Sequence, residues 1–182
     1  GDDLADTFTA YLQGETWHLH AALASGYSAR LALDAAWAAE YYPSGARNVR
    51  ADGAFNLGNP TNQVMSVRIY TGLVAAYGLF TLEDCRIVPL AGDDGAMPDL
   101  WQGMGANHSD WPVCGPGRTV SQVVFASTGS CGQVWDCPNP DVTIREYRVG
   151  RNPARLEFQG ETSRAATHAE MEDMLDRSCV AG

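Results

Sequence analysis

An α+β fold is predicted for this chain of 182 residues: a long N-terminal helix packed on an antiparallel β-sheet, then an extended C-terminal region with a short final helix. Three observations predict it. Leu19, Leu23, Tyr27, Leu31, Ala35, Ala38 and Tyr42 recur at steps of three or four, which lays one apolar stripe along a helix. Val64, Val67, Ile69 and Tyr70, then Thr71-Gly72, then Leu73 to Tyr77 read as strand, turn and returning strand. Thr167-His-Ala-Glu170 has capping-box spacing, and Met171, Met174, Leu175 and Cys179 continue a helical stripe.

Taken in order, Asp3 or Asp6 caps a first short helix that Gly14 ends. The long helix runs from Glu15 to Tyr42, where Pro43 cannot continue it and Gly45 lets the chain turn away. Residues 43–63, rich in Gly, Asn, Pro and Asp, form a connection to the hairpin, and Cys85-Arg-Ile-Val-Pro-Leu90 is a third strand. Ala91 to Gly117, biased towards Gly, Asp, Met and Trp, is too long for an ordinary turn and is the kind of loop in which function concentrates. Thr119–Phe125, Asp141–Val149 and Ala154–Phe158 add strands, giving a sheet of five or more. Residues 1–118 thus hold helix plus sheet, residues 119–182 add strands and the final amphipathic helix, and the two parts make one compact domain.

Composition narrows the function classes. With 45% hydrophobic and 19% charged residues the chain can bury a core. Its 12 basic residues are all arginine and face 22 acidic ones, a net charge of −10 that opposes a nucleic-acid backbone, so no nucleic acid is expected as partner. Arg145, Arg148, Arg151 and Arg155 cluster with an aromatic among them, but Glu146 and Glu157 interrupt the patch, and a solvated strand accounts for it. No run of about 18 apolar residues is present to span a bilayer.

Cys85, Cys114, Cys131, Cys137 and Cys179 contain no C-x-x-C pair, which disfavours zinc and favours disulfides in an oxidising, extracytoplasmic setting. Which cysteines pair is open at this level. Cys114 and Cys137 are flanked by Pro, Gly and Trp, as in loops.

The other chemical candidates fail on spacing. His18 and His20, two apart on a helix, point to opposite sides, whereas helical metal pairs sit three or four apart. Asp93, Asp94 and Asp99 are carboxylates of the type that binds calcium, without the alternating spacing of a calcium-binding hand. Ser130 lacks a Gly-x-Ser-x-Gly context, and His168-Ala-Glu170 lacks the Pro-Cys-x-x-Cys of a deaminase. Trp101, Trp111 and Trp135 lie in loops, where an aromatic either stacks on a sugar or partner protein or plugs the core beneath. No cofactor is expected.

The run Glu40-Tyr41-Tyr42-Pro43-Ser44-Gly45 closing a long helix, a Gly/Asn-rich loop, the Val64 to Gly78 hairpin with its Thr71-Gly72 turn, and Asp110-Trp111-Pro112-Val113-Cys114 resemble the globular head of a type IV pilin. The resemblance covers about residues 15–114 and lacks the apolar first half of the pilin helix; membrane attachment would come only through that missing segment. It implies a non-catalytic structural or adhesive subunit of a pilus-like filament or secretion pseudopilus at the cell surface, with other pilin-like subunits as partners. It also implies a Cys85–Cys114 disulfide pinning the loop between them. The alternative is a secreted carbohydrate- or calcium-binding domain, or an enzyme, with its site in the 93–111 loop.

Overall fold

The structure, a computed structural model, describes residues 7–33, 48–56, 63–70, 74–98, 100–105, 107–115, 119–129, 131–150 and 154–179. Its elements are β1 (Thr7–Gln13), β2 (Thr16–Ala22), β3 (Ser28–Leu33), β4 (Asn48–Asn56), β5 (Gln63–Tyr70), β6 (Val74–Glu83), β7 (Arg86–Pro89), β8 (Trp101–Met104), β9 (His108–Gly115), β10 (Thr119–Ala126), a 3₁₀ turn (Val134–Asp136), β11 (Asp141–Val149), β12 (Leu156–Ala165) and α1 (His168–Asp176). Among the described residues the strands form two antiparallel sheets. One has the order β1-β2-β3, and the other β12-β11-β10-β9-β8-β6-β5-β4, with β7 also paired to β6.

The expected N-terminal helices are overturned: residues 7–33 are a three-stranded meander. Gly14 and Gly26 adopt φ of +63° and +85° at its two turns, a backbone that glycine reaches without a Cβ clash. Trp17, Leu19 and Ala21 on β2 and Ala29, Leu31 and Leu33 on β3 then alternate onto one face, joined there by Phe8 and Ala10 of β1. That face covers Val49, Met65, Val67, Ile69, Ala76, Phe80 and Ile87 of β4 to β7. Residues 34–42, the end of the expected long helix, lie outside the described residues. The fold is therefore almost wholly antiparallel β, with α1 its one described α-helix, and not a long helix on a sheet.

The alternate residues of β5 and β6 build a second core. Val64, Ala75, Tyr77 and Leu79 meet Leu90, Leu100, Val120, Val149 and Leu156, so β5 and β6 meet β10, β11 and β12 across this cluster. A third core lies beyond, where Val123, Phe125 and Val142 are covered by Met171 and Met174 of α1 and by Val134 of the 3₁₀ turn. The capping box is present as its spacing requires: Thr167 Oγ1 accepts from the Glu170 amide at 3.3 Å, and Glu170 Oε2 accepts from the Thr167 amide at 2.8 Å.

The expected 91–117 loop contains the whole of β8 and β9, and their pairing is unusual. Gly103 pairs with Asp110 and Met104 with Ser109; continuing that register would set Trp101 against Pro112, which has no N–H to give. Gln122, 2% exposed on β10, takes the missing place. Its Oε1 accepts from the Trp101 amide at 2.8 Å and its Nε2 donates to the Trp101 carbonyl at 3.1 Å. The edge of β9 that β8 leaves is taken by the chain after α1: the Cys179 amide donates to the Pro112 carbonyl at 3.1 Å, and the Cys114 amide to the Arg177 carbonyl at 3.0 Å.

A disulfide between Cys114 and Cys179 closes this contact, and a second joins Cys131 to Cys137. The Cys85–Cys114 pairing implied by the pilin resemblance is thus replaced. Cys85 sits exposed and unpaired at the two-residue turn between β6 and β7, on the opposite end of its hairpin from β9.

Two outcomes follow from this junction. Replacing Cys114 and Cys179 by serine, which frees a loop with a sequence separation of 65, lowers stability in urea by about 2–4 kcal/mol, while the same change at Cys131 and Cys137, six apart, costs less. Gln122→Leu keeps the bulk and orphans two part-buried backbone groups, so it costs about 1–3 kcal/mol by the same measurement; a neutral result would show that water replaces the amide.

Candidate functional site

Residues 90–98 and 100 form a strap over part of the large sheet. The Leu90 amide donates to the Leu79 carbonyl and the Tyr77 amide to the Leu100 carbonyl, both at 2.8 Å, which ties the two ends of the strap to β6. Directly after the first tie, the Leu156 amide of β12 donates to the Ala91 carbonyl at 2.8 Å, so the same end of the strap also holds β12. The tip closes as a turn, with the Gly92 amide on the Ala96 carbonyl at 2.7 Å and Asp94 Oδ1 accepting from the Ala96 amide at 3.0 Å.

Between this strap and the sheet lies a cleft of about 610 Å³, within the range of small-molecule sites. Gly92, Asp93, Asp94, Ala96, Met97 and Pro98 form its roof. Trp101 forms a wall, and Arg145, Tyr147, Leu156 and Phe158 form the floor. Tyr147 and Phe158 are directly opposite across β11 and β12, with ring centroids 5.7 Å apart and planes tilted by 57°, and Phe158 is 55% exposed. The register skips Gln159 here, a bulge that re-aims the strand beside the rings.

Charge is arranged around the rings. Arg145 Nε lies 2.5 Å from Glu161 Oε2, its cross-strand neighbour on the floor. Arg155 pairs with Glu157 at 3.0 Å and reaches Asp93 on the roof at 3.8 Å. These pairs are exposed and add little stability, yet they set donors and acceptors beside an aromatic surface.

The residues singled out from sequence separate accordingly. Asp93, Asp94 and Trp101 line the cleft, whereas Trp111 and Trp135 pack into the third core, Trp111 Nε1 donating to Ser109 Oγ at 2.6 Å. Asp99 and Ser130 lie outside the described residues. No three His, Cys, Asp or Glu among the described residues are grouped to hold a metal ion. His18 and His20 share the outer face of β2, because the segment is a strand and not a helix. There the Nδ1 of His18 accepts from Arg30 Nε at 3.2 Å, the ring stacks on Tyr11, and desolvation, then the Arg30 charge, lowers its pKa.

The floor residues Arg145, Tyr147 and Phe158 were not read as a site from sequence. Their signal was the aromatic set within the arginine cluster, read there as a solvated strand; the register that sets Tyr147 against Phe158 is a tertiary fact.

Asp110, on the same sheet surface two strands away, shows the cost of half-burying a carboxylate. Desolvation raises its pKa, partly offset by His108, whose Nε2 lies 3.4 Å from Oδ2. A raised value means the folded state holds the proton more tightly, so this group's contribution falls as pH rises through the window above the ordinary carboxylate value. Asp110→Asn is therefore more stable than the parent at pH 7, and the difference vanishes below pH about 3, as urea melts at the two pH values would show.

Comparison with protein-family models, with curated proteins and with solved structures finds no match for this chain.

Proposed function

We propose that this protein is a non-catalytic, glycan-binding domain acting in an oxidising, extracytoplasmic compartment, with its ligand in the cleft between the 92–98 strap and strands β11 and β12. The observation that carries the reading is the Tyr147–Phe158 ring pair, its Phe158 ring 55% exposed, which lines one cleft together with Trp101 and charged groups. A pyranose has an apolar C–H face and a polar rim of hydroxyls. It suits a site where rings supply the stacking surface and carboxylates and a guanidinium supply the acceptors and donors. Two disulfides support the compartment, since such bonds persist where thiols are not kept reduced.

The filament-subunit expectation loses the helix on which it rested, because strands occupy residues 16–22 and 28–33. Calcium is not needed for this reading, Asp94 being engaged by its own turn and Asp93 by Arg155.

Affinity electrophoresis through gels containing neutral glucans, mannans or xylans, with alginate as an anionic control, tests the reading. The parent protein is retarded by at least one neutral polymer. Tyr147→Ala and Phe158→Ala each weaken that binding about tenfold, by removal of a stacking surface. Retardation by none of the polymers, or retardation unchanged in both variants, overturns it.

A further inference from the structure

We propose that the ligand is a linear, uncharged polysaccharide several rings long, laid along β11 and β12 from the cleft to Thr143 and Ser163. This rests on the glycan reading above and adds subsites to it. Three cross-strand pairs lie in succession on one surface of the two strands: Tyr147 with Phe158, Arg145 with Glu161, and Thr143 with Ser163. The alternate residues Val142 and Ile144 of β11 point the other way, into the core under α1, so the three pairs share the opposite surface. From residue 147 to residue 143 the strip is roughly 13 Å long, at about 3.3 Å per residue. That exceeds what a single ring on the aromatic pair would use.

The strip is continuous with the cleft, because Arg145 and Tyr147 belong to both. Its side chains stay open to solvent: Arg145 and Glu161 are 47% and 44% exposed. Thr143 Oγ1 and Ser163 Oγ sit 3.0 Å apart, a hydroxyl pair with capacity left for further hydrogen bonds. The order along the strip is thus a stacking platform, a paired cation and anion, and then two hydroxyls.

Charge selects among polymers. Arg145 and Glu161 cancel one another, the roof carries Asp93 and Asp94, and the chain as a whole carries −10, so a polyanion is repelled where a neutral chain is not. A peptide adding to the outer edge of β12 would bond to its backbone and not to these side chains.

The test is isothermal titration with the monosaccharide and the trisaccharide of whichever neutral polymer retards the protein. The trisaccharide binds about tenfold or more tightly than the monosaccharide, as extra subsites require. In the double variant Thr143→Val, Ser163→Ala that gain is lost while monosaccharide affinity is kept. Equal affinity for the two lengths, or a length gain that survives the double variant, overturns the strip and points to the edge of β12 or to the cleft alone. In that case Phe158→Ala still weakens sugar binding about tenfold and the cleft reading stands. Absence of binding to any sugar removes both.

Discussion

Pro112 cannot donate a hydrogen bond, and most of what is distinctive in this structure follows from that one missing N–H. Strand β8 pairs with β9 only at Gly103 and Met104, then parts from it where Trp101 would meet the proline. The separation leaves two sets of backbone groups to satisfy. On one side the Gln122 amide supplies both a donor and an acceptor to Trp101. On the other, the chain after α1 bonds to Pro112 and Cys114 and is locked by the Cys114–Cys179 disulfide. The parting also lets the halves of the sheet face one another around Val64, Tyr77, Leu79, Val120 and Leu156. Finally it fixes the backbone of Trp101, whose side chain is a wall of the cleft. Fold and candidate site therefore share one cause.

How far the sequence reveals this depends on whether a signal is local. The Val64–Tyr77 hairpin, β10, β11 and the capping box of α1 were legible, because alternation of β-branched residues and a Thr-x-x-Glu spacing need no distant partner. The N-terminal stripe was not, for an arithmetical reason. Leu19, Leu23, Tyr27 and Leu31 are four apart, and four is both nearly one helical turn and two full strand periods, so the same residues share a face in either structure. The discriminating evidence was the punctuation at Gly14 and Ser25-Gly26, reinforced by the alternation Trp17, Leu19, Ala21 and Ala29, Leu31, Leu33. Read with more weight on turns, that segment becomes a meander.

Strands β8 and β9 were hidden differently. Trp-Gln-Gly-Met carries no β-branched residue, and His-Ser-Asp-Trp-Pro-Val-Cys-Gly holds a proline that demotes a strand assignment, so their pairing is imposed by neighbours. The Cys114–Cys179 bond depends on that same hidden pairing, since only the tail lying beside β9 brings the two sulfurs together. The site was half legible for a related reason. Trp101, Asp93 and Asp94 stand in a loop whose composition attracts attention, but the floor is made by Tyr147 and Phe158, which a bulge at Gln159 brings into opposition.

The location of the open surface is itself a consequence of how the cores are distributed. Strand β6 is buried on both faces, by the small sheet on one and by the second core on the other, and β10 is likewise flanked by the second and third cores. At β11 and β12 the coverage ends: α1 shields one surface, and the strap reaches only as far as Leu156 and the ring pair. Solubility alone would be served at that margin by charged residues such as Glu157, Glu161 and Arg164, which are there. Phe158 does not serve it, since an exposed ring loses roughly 25 cal/mol for every Å² of apolar surface left in water. Its packing on Tyr147 recovers part of that loss, and a ligand stacked on the pair would recover the rest. A surface that is costly when bare and favourable when covered is what a binding platform requires, and in this fold it lies at the strand edge where a long ligand can enter from solvent.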